Sequence, residues 1–390
     1  MPELRSFSGV RGSSPERASV VVAGGGIGGL ALGIGLSRAG FGVTVVERAD
    51  RIADVGAGLV LYPNGIRALD TISAPLGKAV RAAGHVAAPG DVRPHLRSDG
   101  VVLSSDPIGD LENRWGTPHV MLLRSALQNA LLDEALAVDV DLRIGREVVG
   151  HSDDGSSVSV SLSDGSTVTG SLLVGSDGLR SGVRERLLGP TPIRYRGYSS
   201  VRGRTAASHN FPVGVTAAGP GIDLFVGAVG GGLLYWTAKI VAPQGVWPAK
   251  TPSAALGDLL AEMADWDPAL RELVETTDTA AGVVMTDIVD RDPVPQWTQG
   301  RVTLLGDAVH PMAPTLGQGA GMALEDAAVL TACLANGSLA DYERLRAPRT
   351  REIVLLSRRT GGVDYERAVE FSTSDDQFAR LFGWRTEGVQ

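Results

Sequence analysis

The segment Gly24-Gly25-Gly26-Ile27-Gly28-Gly29 constrains this chain more than any other, because it directly follows the apolar run Val20-Val21-Val22-Ala23. A continuous aliphatic run of that length suits a strand buried on both faces, as in a parallel sheet. Leu30 to Ala39 then reads as a helix stopped by Gly40, and Gly42 to Val46 as a second strand ending in Glu47. Strand, turn, helix and strand form a β-α-β unit of about 30 residues. Gly24, Gly26 and Gly29 satisfy G-x-G-x-x-G. The first glycine permits the turn, the second lets backbone approach a pyrophosphate, and the third lets helix pack on strand. Glu47 follows 18 residues after Gly29, where a carboxylate can accept from both ribose hydroxyls. The turn predicts a dinucleotide site.

Composition narrows the rest. Gly is 51 of 390 residues, about twice the usual share of ~7%, without the period of collagen. Thirty-six basic residues against 44 acidic ones give a net charge of −8. That balance repels phosphate backbones and argues against nucleic acid as a partner. One cysteine, Cys333, excludes an internal disulfide, and the six histidines show no metal-ligand spacing. No apolar stretch is long enough for a membrane span, and Met1 to Ser19 has no apolar secretory core. The expected location is the cytoplasm, with no stable membrane association.

Further elements can be placed. Arg124 to Leu136 predicts a helix with Leu127, Leu131 and Ala135 on one face. Ser157–Leu162, the Asp164-Gly165 turn and a return strand over 167–174 predict a hairpin. From Pro190 to about Val241, short β-rich runs broken by Gly predict an antiparallel sheet. Thr251–Thr276 reads as helical, and Ala280–Ile288 as a strand leading back to the first domain. Arg301–Leu305 reads as a buried strand and Gly321–Leu334 as a helix.

Two further segments fix which dinucleotide is expected. One is Leu172-Leu173-Val174-Gly175-Ser176-Asp177-Gly178-Leu179-Arg180-Ser181, ahead of Arg184. The other runs from Arg301 through Gly306-Asp307-Ala308-Val309-His310-Pro311 to Pro314 and Gly317-Gln318-Gly319, with Glu325-Asp326-Ala327 beyond. With the glycine turn, Gly56–Gly65 and Asp290-Arg291-Asp292-Pro293, the chain resembles the single-component (group A) FAD-dependent aromatic hydroxylases from about Val20 to Arg349. These have the p-hydroxybenzoate hydroxylase-like fold, and the salicylate- and urate-hydroxylase-like branch is nearest. The resemblance implies an α/β fold, a Rossmann-type FAD-binding domain with an inserted antiparallel-sheet substrate domain. The implied boundaries are 1–18 for a flexible tail; 19–75, 100–188 and 280–335 for the FAD-binding domain; 76–99 and 189–279 for the substrate sheet; and 336–390 for a C-terminal helical segment.

By the same resemblance, Arg124 pairs with the FAD pyrophosphate, Asp307 binds the ribityl or pyrophosphate region, and the amides of Gly317, Gln318 and Gly319 lie near the flavin pyrimidine edge. Asp177-Gly178 is associated with FAD and NADPH contacts, a solvated surface ion pair of Asp177 and Arg180 being the other reading. The candidate cofactor residues are therefore Gly24, Gly26, Ile27, Gly28, Gly29, Glu47, Arg48, Gly58, Arg124, Asp177, Asp307, Pro314, Gly317, Gln318, Gly319 and Ala320, with Gly56 and Gly58 giving slack for flavin movement. No second G-x-G-x-x-G is present, so NADPH or NADH is expected to visit as a co-substrate without its own domain.

The activity implied is FAD- and NAD(P)H-dependent hydroxylation of an aromatic or polycyclic small molecule with O2, through a flavin hydroperoxide. Epoxidation or oxidative rearrangement of a quinone-like metabolite, and small-molecule binding without oxygen transfer, are the alternatives. Arg202, Tyr235 and Pro314 are the substrate-pocket candidates. A strand Arg is more often a solvated or paired surface residue and a Tyr beside Trp more often a packing residue. His310 reads as structural rather than as a general base. Gly219-Pro220-Gly221-Ile222-Asp223 carries no basic residue, so the sheet is expected to be aliphatic and to favour an apolar or polycyclic phenol or a quinone-like metabolite.

Overall fold

The computed structural model describes residues 18–51, 57–206, 210–359 and 375–385. The N-terminal tail up to residue 17, Gly56 and part of the C-terminal segment lie outside the described residues. The six-stranded sheet runs β18 (Thr298–Gln299), β19 (Val302–Leu304), β12 (Leu172–Gly175), β1 (Ser19–Ala23), β2 (Gly42–Glu47) and β8 (Asp141–Ile144). All neighbours are parallel except β18 with β19, and Val22 stands opposite both Val45 and Val174. Its central strands are aliphatic throughout because both faces are covered. Helix α1 (Ile27–Arg38) packs there against α5 (Arg124–Ala137) and α9 (Gly319–Ala335).

The return strand expected over 167–174 is two strands. β11 (Thr167–Gly170) closes a three-stranded sheet with β10 (Val158–Leu162) and β9 (Val148–Asp153), while β12 enters the parallel sheet. The burial pattern changes from alternating in β11 to continuous in β12, as a half-exposed strand gives way to a core strand. Ser171 marks the crossing, its backbone N–H and hydroxyl both donating to Ser19 O at 2.7 Å.

The seven-stranded sheet runs β17 (Val284–Asp290), β13 (Arg194–Ala206), β16 (Leu233–Val241), β15 (Ile222–Ala228), β14 (Gly214–Gly219), β5 (Arg93–Arg97) and β6 (Val102–Asp106). β17 pairs with β13, so it belongs to this sheet and not to the parallel one. β6 likewise pairs with β5, which places the expected boundary at 99/100 inside a hairpin. Its turn uses Gly100 at φ +85°, with Arg97 N–H donating to Val101 O. The helix expected over 251–276 is broken into α7 (Pro252–Glu262) and α8 (Pro268–Glu275). Pro268 cannot continue a helix, and Asp267 caps the new one by accepting from Ala269 N–H at 2.9 Å.

These two helices cover one face of the sheet, where Val201, Leu224, Val226, Trp236 and Ile240 pack with Leu259, Met263, Leu270 and Leu273. The alternate residues face the other way. That second face carries Arg202, Thr216, Asp223, Phe225, Thr237 and Lys239, so the aliphatic surface expected for the substrate is in fact the helix-covered one. The small sheet β3 (Gly58–Leu61), β7 (Val120–Leu123) and β4 (His85–Val86) lies beside α2 (Pro63–Ile72) and α3 (Ala74–Ala83). α4 (Leu111–Trp115), α6 (Gly182–Leu188), α10 (Leu339–Arg359) and α11 (Asp375–Phe382) complete the described helices.

Candidate active site

A cavity of about 940 Å³ lies between the glycine turn and the polar face of the seven-stranded sheet. Gly26, Ile27, Gly28, Gly58, Arg124, Asp307, Pro314, Gly317, Gly319 and Ala320 line it, as do Arg202 and Tyr235. Gly24, Gly29, Glu47, Arg48, Asp177 and Gln318 stand behind or beside that lining. Gly24 holds φ +105° and touches Ser176, while a Cβ at Gly29 would fall 1.9 Å from Gly24 O. A Cβ at Gly26, in contrast, would meet no protein atom within 4 Å. Two of these glycines close the turn, and the third bares backbone to the cavity.

Glu47 is fixed at the rim by backbone amides, accepting from Gly25 N–H at 2.7 Å and Ala49 N–H at 2.9 Å. Arg48 beside it is exposed. Asp177 caps α6, accepting from the Ser181 hydroxyl and from Gly182 and Val183 N–H. Its neighbours Ser176 and Gly178, not Asp177, line the cavity. Arg184, on the same helix, is buried and donates to Ala308 O and Val309 O.

Three helices begin at this cavity: α1 after Gly26, α5 after Leu123 and α9 after Gln318. None has a side-chain cap or an acidic residue in its first turn. Elsewhere Ser73, Thr251 and Asp267 cap α3, α7 and α8. Uncapped first-turn amides carry partial positive charge and suit an anion, and these three uncapped ends open on the cavity. Arg124 opens α5 as an exposed residue, and Gln128 ties the same helix to the glycine turn, donating to Gly25 O at 2.7 Å. The bare Gly26 backbone and the α1 and α5 termini fit the pyrophosphate of FAD, and the α9 terminus suits an anionic edge of its ring. The Nε2 of Gln318, buried without a partner among the described residues, adds an unspent donor at the head of α9.

Asp307 projects into the cavity from the turn Gly306–Ala308. Its side chain is exposed to the cavity, yet the protein crowded around it raises its carboxyl, and His310 and Arg124 only partly offset this. His310 itself is buried against Asp326, which also accepts from Gly306 N–H and Arg346. Next along the helix, Glu325 accepts from Arg346, Arg349 and Asn64, and Asn64 also donates to Gln318 Oε1. This buried network holds the Asp307 turn and the start of α9 in one register. The Glu-Asp pair was visible in the sequence, but that it would be met by partners 16 to 261 residues away was not.

Arg202 lies on the cavity side of β13, cross-strand from Thr237, with no ion-pair partner among the described residues. Tyr235 is buried, with its ring close against Gly58, and burial raises its phenol. The sheet face also presents residues that the pattern reading did not single out: Lys239 paired with Asp223 at 2.7 Å, and Arg93, His95 and Asp106.

A glycine turn and three uncapped helix ends converging on one deep cavity define an FAD-binding enzyme of the α/β class with a separate seven-stranded sheet over its site, antiparallel except where β14 runs parallel to β5. The chain belongs to the FAD binding domain family, whose pattern matches residues 17–354. It is 39% identical over 352 residues to the aurachin C monooxygenase/isomerase of Stigmatella aurantiaca, covering 88% of this chain and 89% of that protein. It is 31% identical to 3-hydroxybenzoate 6-hydroxylase 1 of Aquipseudomonas alcaligenes, covering 87% and 88%. Klebsiella pneumoniae HpxO, solved with FAD and uric acid, superposes with a TM-score of 0.82 at 26% identity, covering 95% and 94%. The protein is an FAD-dependent monooxygenase of the aromatic hydroxylase kind. No helix among the described residues is long and apolar enough to cross a membrane.

Proposed function

We propose that this enzyme works in the cytoplasm, takes electrons from NADPH or NADH, and places one oxygen atom from O2 on an aromatic or polycyclic small molecule. The observation that carries this reading is the convergence of α1, α5 and α9, uncapped, on a cavity whose far wall is a polar sheet face. FAD, when bound, supplies the electron-transfer and oxygen chemistry. The protein's part is binding, orientation and exclusion of water.

In this reading the amides of Gly26, Ile27 and Gly28 and the Arg124 guanidinium hold the pyrophosphate, and Glu47 receives a ribose. Asp307 holds the ribityl region. The amides of Gly317, Gln318, Gly319 and Ala320 face the pyrimidine edge, where negative charge is stabilised by the α9 terminus. Arg202 anchors a carbonyl or anionic oxygen of the substrate, while Tyr235 and Pro314 bound the pocket. Asp177 acts through the loop that it caps, by keeping Ser176 and Gly178 against the cavity.

The relative named aurachin C monooxygenase/isomerase favours a second reading, oxidative rearrangement of a quinone-like ring. One experiment addresses both. NAD(P)H oxidation by FAD-loaded protein is followed with phenols, indoles, purines and polycyclic quinones, and products are weighed. Faster oxidation with a product one oxygen heavier supports hydroxylation, and a rearranged carbon skeleton supports the second reading. Tight FAD binding with no compound accelerating oxidation points to a binding protein. Arg202→Ala is expected to raise KM for an oxygen-bearing substrate about 10–100-fold, the worth of one charge-assisted hydrogen bond.

A further inference from the structure

One part of the cavity wall is spent neither on FAD nor on the sheet. Leu111 of α4, Met312 and Leu316 of the loop ahead of α9, and Phe378, Leu381 and Phe382 of α11 all line the cavity. With Tyr62 and Trp115 they form one apolar cluster around Met322, Ile353 and Leu356, and no residue of the seven-stranded sheet belongs to it. Phe382 stacks on Tyr62 at 4.7 Å and on Phe378 at 5.5 Å between ring centres. The carbonyls of Arg380 and Leu381 accept from Arg349 at 2.6 and 3.1 Å, so α11 is tied to α10 by its backbone as well as by its rings.

The two parts of the wall differ in what they can hold. The sheet part offers Arg202, Lys239 paired with Asp223, and the hydroxyls of Ser200 and Thr237, 2.8 Å apart. The cluster offers hydrocarbon and one thioether, apart from the Tyr62 phenol. Arg114, beside it on α4, is exposed and lies over the Phe378 ring, 6.0 Å from its centre, so its charge stays in water while its stem covers the ring. FAD in the proposed arrangement is held by the glycine turn, Asp307 and three helix ends, none of them in α4 or α11. Apolar wall facing water is unfavourable, and covering it strengthens a complex about fourfold for each buried methylene. A ligand that meets both parts is polar at one end and hydrocarbon at the other.

From this division we infer that the apolar cluster is a subsite for a hydrocarbon chain of several carbons carried by the aromatic substrate, while a polar group of the ring meets the sheet face at Arg202. The inference rests on the monooxygenase reading and narrows its substrates from aromatics in general to amphiphilic ones. Phe378 and Leu381 set the preference for chain length and take no part in oxygen transfer. Held at both ends, the ring keeps one orientation in the cavity, and the same carbon is presented for reaction each time.

The test uses phenol and its 4-ethyl, 4-butyl and 4-hexyl derivatives with FAD-loaded protein. Dissociation constants are read from the flavin difference spectrum, without NAD(P)H. Each added methylene should tighten binding about two- to fourfold. Phe378→Ser and Leu381→Ser should flatten that dependence while FAD stays bound, and Phe378→Leu should keep it. Val102→Ser, on the exposed edge strand β6, should leave the dependence as it is in the native protein, which separates a subsite from general apolar adsorption. Binding that does not follow chain length in the native protein, or a dependence undiminished in both serine variants, overturns the subsite. NAD(P)H oxidation with the same compounds separates the two readings. If oxidation is accelerated but binding ignores chain length, only the subsite fails; if binding follows chain length but nothing accelerates oxidation, the subsite stands and the monooxygenase reading fails.

Discussion

Gly26 and Gly29 lie three residues apart and should fail in different ways when given a methyl group. At Gly29 the added carbon would strike Gly24 O, whereas at Gly26 it would enter open cavity. Gly29→Ala is therefore expected to unfold the turn and lower the melting temperature without any ligand. Gly26→Ala should leave the apoprotein within about 0.5 kcal/mol of native stability and weaken FAD at least tenfold, which FAD fluorescence titration would show. His119 makes a second prediction at this scale. It is neutral when folded, pushed down to about 3 by burial, whereas an unfolded histidine binds its proton near 6.5. The unfolded chain thus gains a proton as pH falls from about 6.5 towards 3, and stability is lost across that window. Urea titrations of His119→Gln should show a flatter acid dependence, and an unchanged slope would exclude His119 as the source. The glycines were legible because their roles are local to the turn. Arg93, His95 and Asp106 were not, since nothing at 93, 95 and 106 reveals that two strands will set them around one oxygen.

At the scale of elements, α9 and α10 are joined by charges rather than by apolar packing alone. Arg346 is 1% exposed and bridges Glu325 and Asp326, both fully buried. Arg346→Met removes the cation and leaves two buried carboxylates short of a partner, a loss of about 3–5 kcal/mol for a broken buried pair, readable in chemical denaturation. Burial opposes the charge on Asp326, yet His310 and Arg346 hold its carboxyl down to about 2. Its contribution is present above the ordinary unfolded value near 4 and is lost as pH falls from there towards 2. Asp326→Asn should therefore be less stable at neutral pH and differ less from native in acid. Element types along the chain were largely readable, but breaks and partners were less so. Asp267-Pro268 signalled a helix stop and a new N-cap, and Asp99-Gly100 signalled a hairpin turn. The first lies inside a longer helical pattern, and the second coincides with the domain boundary that the resemblance implied.

At the scale of the whole molecule, the last described helix closes one side of the cavity. Phe378, Leu381 and Phe382 of α11 line it, and Phe382 stacks on Tyr62 with ring centres 4.7 Å apart. Arg67 donates to Phe382 O and Trp384 O, and Arg349 to Arg380 O and Leu381 O. A chain ended at Ser374 is expected to keep FAD, because the glycine turn and the α1, α5 and α9 termini remain. Its cavity should admit bulkier aromatics and bind an apolar fluorescent dye more strongly; an unchanged dye response and substrate range would show that α11 does not bound the pocket.

The sequence by itself determined the parallel β-α-β core and the turn that bares backbone to a dinucleotide, because those depend on residues adjacent in the chain. Sheet membership was decided only in three dimensions. Strands 102–106 and 284–290 joined the seven-stranded sheet through hydrogen bonds whose partners no local pattern names. The same pairing turned the aliphatic residues of that sheet towards α7 and α8 and the polar ones towards the cavity. A strand's alternation tells which residues share a face. Which face meets the ligand is settled by what packs on the other.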